Sequence, residues 1–214
     1  MDFKCGKNVD IKDKRSVFIS SSVIVGDNVT IYENNRIEGD SEILDGAVIM
    51  PGCFIKDTVV GKGAVVNNSQ CENAVIGENC SVGPFARLRP NAVLMQSVKI
   101  GNFVEVKNAT IGENTKVSHL AYVGDADIGR DCNVGCGAIF VNYNGKTKNR
   151  TVVGDNCFIG SNCNIIAPVK IESNAYICAG TTVTDDVKTD DFVIGRVRQV
   201  VKENRAHNYL KEKN

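Results

Sequence analysis

His119, one of only two histidines in the chain, carries the side chain best suited to take up and give back a proton near neutral pH. Polar groups that could work with it follow closely: Tyr122 and Asn133, then Asn142, Tyr143 and Lys148 in the stretch "FVNYNGKTKNR" at 140–150. Upstream stand Arg89 and Lys107. Arg offers a bidentate fork and Lys a compact point charge, so two or three such side chains converging on one place suit a phosphate. Taken singly, each residue also has an ordinary reading, the histidine as a hydrogen-bonded surface group and the cations as solvated charges. The choice depends on whether the chain brings them together.

The elements that must do so repeat with a period of six. Val25, Ile31, Ile37, Ile43, Ile49 and Ile55 fall at six-residue spacing; Ile76, Val82, Leu88, Leu94, Ile100 and Val106 resume it, and Val153, Ile159, Ile165, Ile171, Ile177 and Val183 form a third register. Six fits neither an α-helix nor a heptad, but it fits a short strand followed by a turn. Three such units close a triangular coil, and stacked coils make an all-β solenoid in which residues about 18 apart become neighbours. Gly, Asn and Asp in "VGDN", "IGEN" and "IGRD" suit its corners. By that spacing Arg89, Lys107 and the segment 119–122 fall along one edge.

Between Ile100 and Val153 the period wavers, through Val106, Ile111, Val117, Val123, Ile128 and Val134, and the loop at 140–150 then interrupts it. A stacked coil accepts insertions at its corners, so function is expected in this region. The solenoid is expected to occupy residues 1–187, followed by a charged, partly helical tail over 188–214.

The bulk numbers exclude several classes. Twenty-five basic residues balance twenty-five acidic ones, leaving no whole-chain field for nucleic acid or a membrane surface. No leader-like segment or span of apolar residues points to secretion or a membrane, so a cytoplasmic protein is expected. The nine cysteines are scattered without CxxC pairs, which argues against a disulfide framework or structural zinc. Most fall four residues after an aliphatic position, alongside Val29, Ala47, Ala86, Ala92 and Ala175, where a thiol acts as a small hydrophobe. "NVGCGAI" lacks the spacing of a nucleotide loop, and one histidine within the repeats cannot assemble a metal site.

The residues also carry a resemblance. "VGPFARLRP", "GNFVEVKNATIG", "SHLAYVGDADIG", "NYNGKTKNRTVVGDNCFIGS" and "AGTTVTDDV" together resemble the left-handed β-helix domain of the bacterial bifunctional enzyme that acetylates glucosamine-1-phosphate and then uridylylates it. The likeness runs from roughly residue 3 to 200. It implies left-handedness, a homotrimer with active sites between subunits, and transfer of acetyl from acetyl-CoA to the sugar amine, on the route to UDP-N-acetylglucosamine and cell-wall precursors. By residue, it implies His119 as general base, Arg89, Lys107 and Lys148 on the sugar phosphate, and Tyr122, Asn133 and Asn142 on the sugar. The acetyl-CoA contacts it implies are Cys136, Asn142, Tyr143, Ser161, Ala179 and, in the tail, Arg196. No metal is implied, because Mg²⁺ belongs to the family's nucleotide-binding domain, which this chain is not expected to contain.

Cys136, Ala121, Ala138, Phe140 and Arg198 depart from the family pattern. Phe140 is expected to be the departure that most alters the CoA pocket or the trimer contact. Two other readings stand beside the resemblance: an acetyltransferase for another, nucleotide-linked amino sugar, and a scaffold without activity. Three cations around an uncharged acceptor would be left unpaired, which weighs against a neutral sugar.

Overall fold

The computed structural model describes residues 3–210, and nearly all of them build one stack of coils from 27 short strands. One inward column shows how the repeat works. Ile11 lies on Ile31, Ile31 on Ile49, Ile49 on Val66, Val66 on Val82 and Val82 on Ile100, each pair parallel. The column continues through Val117, Val134, Ile159 and Ile177 to Val193. From Ile31 to Ile177 these side chains are at most 2% exposed. Each contributes roughly 1.5–3 kcal/mol by leaving water. A one-residue slip would turn the whole column outward, so the aliphatic pattern fixes the register.

The cysteines fill the small interior positions as expected. Cys53, Cys80, Cys132, Cys157 and Cys163 are 2% exposed or less, and their thiols lie against backbone carbonyls, Cys157 Sγ at 3.2 Å from Glu172 O for instance. Cys136 is exposed. Phe140 does not behave as expected: it is fully buried inside the solenoid and cannot touch a ligand on the outer face.

Three columns of corners run along the stack, marked by left-handed backbone. At one, Asn79, Ser97, Asn114, Asp131, Asn156 and Asn174 follow one another; at another, Asn73, Asn91, Asn108 and Asp125. Asn and Asp tolerate this conformation better than other side chains. The remaining corner is different. There Phe85, Phe103 and Leu120 hold positive φ of 57°, 57° and 39°, and all three are more than half exposed.

The region of wavering period proves continuous. Lys99–Ile111 and Lys116–Ile128 are two 13-residue strands paired along their length. Both take the same five-residue step, Val106 to Ile111 and Val123 to Ile128, so the shortened coils still stack. The solenoid also extends beyond the expected limit of 187, because Phe192–Val193 pairs with Tyr176–Ile177. Among the described residues of the tail only Ala206–Asn208 forms a turn of 3-10 helix, and residues 195–210 are exposed; residues 211–214 of the expected tail lie outside the described residues.

Candidate active site

Arg89, Lys107 and Lys148 converge on the face between the Leu120 and Asp125 corners. Arg89 Nη1 donates to Glu105 Oε1 at 2.7 Å. Lys148, brought in by the inserted loop, is near enough to Lys107 to lower its pKa by hydrogen bonding and charge, with burial and the Arg89 charge adding to the effect. Asp125 pulls the other way. These are mutually repelling cations held close, a site that an anion would relieve.

Asp125 is the group that sequence reasoning missed. It is 8% exposed and accepts hydrogen bonds from Asn108 Nδ2 and Asn142 Nδ2. Burial alone would raise its pKa, but those two bonds and the charges of Lys107 and Lys148 hold it below the usual carboxylate value. Asn142 Nδ2 also lies 3.5 Å from the Tyr122 hydroxyl. Asn108, Asp125 and Asn142 recur at intervals of 17, one shortened coil each, and that spacing was the available signal.

The loop leaves the stack after Asn142. Tyr143 bridges antiparallel to Lys148, and Asn144 Oδ1 accepts from Lys146 N and Thr147 N, which tightens the tip. At the base Arg150 donates through two nitrogens to the Asp127 carboxylate and through Nη1 to Asn108 O at 3.0 Å. That fork ties the end of the loop to the corner carrying Asp125.

His119 lies on the adjoining face, one residue before the Leu120 corner, and is exposed. Its Nδ1 is 2.7 Å from Asn102 Oδ1, its partner in the preceding coil. An amide oxygen there calls for a proton on Nδ1, which leaves Nε2 with a free lone pair facing out. Below it the register places Cys136, then Ser161, then Ala179 in one column. Arg196 Nη1 donates to Ala179 O at 3.0 Å. Of the residues assigned to the cofactor by resemblance, Cys136, Ser161 and Ala179 thus stand in line beneath His119, with Arg196 against the last, whereas Asn142 and Tyr143 stand at the Asp125 corner and in the loop that follows it.

Two placements divide the site. Tyr122 opens onto a groove of about 450 Å³ beside Phe103, Glu105, Leu120 and Ile139. Asn133 instead faces a separate groove of about 430 Å³ with Lys116 and Asp131. The solenoid does not bring Asn133 to Arg89, Lys107 and Lys148 of its own chain.

Comparison with known proteins bears on this arrangement. Residues 150–185 match the bacterial transferase hexapeptide family (six repeats). The fold is a left-handed hexapeptide β-helix. Residues 70–140 of this β-helix match the GMPPB C-terminal domain. The bifunctional protein GlmU of Clostridium kluyveri is 58% identical over 119 residues, 56% of this chain and 26% of that protein. The GlmU of Caldicellulosiruptor saccharolyticus is 60% identical over 120 residues, again 56% of the chain and 26% of the relative. The matched part of the β-helix therefore spans about a quarter of the length of these curated relatives, and the resemblance read from its motifs is borne out over little more than half of the chain, short of the expected 3–200. A solved GDP-perosamine N-acetyltransferase from Caulobacter crescentus, with CoA and GDP-perosamine, is 23% identical over 54% of this chain and 53% of its own, with a TM-score of 0.49.

Proposed function

We propose that the chain is a glucosamine-1-phosphate N-acetyltransferase that uses acetyl-CoA as donor. The observation that carries the reading is the convergence of Arg89, Lys107 and Lys148 around the Asp125–Asn142–Tyr122 cluster, one corner away from a histidine oriented by Asn102. The similarity to GlmU over more than half of the chain supports it.

In this reading the sugar phosphate relieves the repulsion among the three cations, while Tyr122 and Asn142 contact the sugar. An amine attacks a thioester only as the free base. His119 Nε2 takes the proton as nitrogen bonds to the acetyl carbon, and the CoA thiolate leaves. General-base help of this kind is worth roughly 10²–10⁴ in rate, and the phosphate clamp adds the gain from holding the two reactants in line. The donor lies along the column Cys136, Ser161, Ala179, with Asn142 and Tyr143 beside its reactive end and Arg196 at its far end.

The division of the site supports a homotrimer. His119 and the cations flank the exposed corner of Phe85, Phe103 and Leu120, where bulky apolar side chains sit in strained backbone. A neighbouring copy laid against that corner would bury it and close a site between subunits. Asn133, facing away from its own cations, would then serve the neighbour. The reading also places the protein in the cytoplasm, where acetyl-CoA and sugar phosphates meet. No helix among the described residues is long and apolar enough to cross a membrane.

The test is to incubate the purified protein with acetyl-CoA and glucosamine-1-phosphate and to follow N-acetylglucosamine-1-phosphate by mass spectrometry. His119→Ala should lose roughly 10² or more of kcat. Absence of product from a folded wild type, or an undiminished His119→Ala rate, would sink the assignment.

A further inference from the structure

Three aromatic rings stack on the outer surface of the last coils. Phe158 and Tyr176 have ring centroids 4.6 Å apart and lie nearly parallel, and Tyr176 and Phe192 follow at 5.1 Å. Exposure rises along the stack, 38%, 42% and 64%. The last ring is open, because no strand among the described residues pairs beyond Phe192–Val193. The face bearing the rings is the one that carries His119, Cys136, Ser161 and Ala179, and registered pairing aligns Asn133, Phe158, Tyr176 and Phe192 along it. Nothing in the catalytic reading uses these rings.

Geometry and charge point to one occupant. The coil of Phe192 is four steps below that of His119, and coils about 4.8 Å apart put roughly 19 Å between them, a span that an extended phosphopantetheine arm covers. The charge around the open ring is divided. Asp190 and Asp191 precede it, whereas Arg196 follows and is fixed to Ala179 O. A planar base on the ring would therefore carry its phosphates toward Arg196 and away from the aspartates. We propose that Phe192, the open end of the Phe158–Tyr176–Phe192 stack, is the platform for the adenine of the acyl-CoA donor, with Arg196 facing its phosphates. This rests on the acetyl-CoA reading given above. Stacking of a base on an aromatic side chain tolerates any purine face and is strong enough to set the donor's affinity.

The nucleotide half of CoA, adenosine 3′,5′-bisphosphate, tests the platform apart from the chemistry. Titration calorimetry should show it binding the wild type, roughly tenfold more weakly to Phe192→Ala, and with undiminished affinity to Phe192→Tyr. The preference in kcat/KM for acetyl-CoA over S-acetyl-4′-phosphopantetheine, which lacks the base, should fall by the same factor in Phe192→Ala. An unchanged affinity for the nucleotide in that variant would overturn the proposal while leaving the acetyltransferase reading intact. So would a loss of oligomeric mass in Phe192→Ala by light scattering, which would make the stack a contact between copies. A wild type that neither binds the nucleotide nor transfers acetyl would refute both.

Discussion

Replacing Asp125 with Asn keeps the side chain's shape and removes its charge. In the wild type the carboxylate accepts from Asn108 and Asn142 and faces Lys107 and Lys148. Hydrogen bonds to a charged partner contribute about 1.5–3 kcal/mol each, and burial of the carboxylate takes part of that back. In the variant the single amide oxygen serves one asparagine, and the new NH₂ opposes the other donor, an unpaired contact costing about 1–3 kcal/mol. The net loss should be about 2–3 kcal/mol at neutral pH. Its pH dependence identifies the cause. The folded-state pKa of Asp125 is depressed, so its contribution is full above the unfolded value of about 3.9 and disappears as pH falls through the lower folded value. Urea unfolding of both proteins, stepped from about pH 7 down to pH 2, should show a gap that is constant above about pH 5 and closes below pH 4. A gap that persists unchanged into acid would mean that packing, and not charge, holds the cluster, and would undo the electrostatic account of the site.

Two further substitutions separate the parts of the site. Lys107→Met should raise KM for glucosamine-1-phosphate roughly ten- to a hundredfold, the worth of one charged contact to phosphate, and leave KM for acetyl-CoA in place; steady-state kinetics showing both constants moved together would argue against a phosphate role. Because Lys148 depresses the Lys107 pKa, wild-type affinity for the sugar phosphate should also weaken as pH rises through that lowered value. Arg150→Ala removes the fork on Asp127 and the bond to Asn108 O. This half-exposed anchor contributes about 1 kcal/mol to stability, so melting should change little while amide exchange across residues 143–149 accelerates. Unaltered exchange there would show that the turn held by Asn144 keeps the loop ordered without it.

The solenoid was legible because every coil presents the same problem. An inward aliphatic residue every six positions and a small one four places later leave few alternatives, and the buried column from Ile31 to Ile177 follows that pattern. The boundary at 187 failed because Phe192 and Val193 continue the stack after a spacing change that the period does not announce. Phe140 failed for a related reason. Judged by its departure from a family pattern, it looked like a surface change, whereas its place in the coil points inward. His119, Arg89, Lys107 and Lys148 could be nominated from residue type and spacing. Their partners were harder to see: Asn108 and Asp125 share an interval of 17 with Asn142, but Asn and Asp are ordinary corner residues in this fold, and only stacking shows that these face one another and that Asn102 meets His119.

That last point explains how a repeat built from aliphatic residues supports a polar cluster at little cost. Corners must adopt left-handed backbone, and Asn and Asp tolerate it better than other side chains, so the residues at Asn108 and Asp125 meet a backbone requirement before they meet any substrate. The shortened coils place Asn108, Asp125 and Asn142 directly above one another, and the insertion follows at that corner, bringing Lys148 to Lys107. His119, on the adjoining face, is likewise braced by an Asn from the coil before it. The exception is the corner between them, where Phe85, Phe103 and Leu120 replace the usual Asn or Gly. The strain they carry has no use to the isolated coil. It has one if a second copy covers that edge and completes the space between the histidine and the cations.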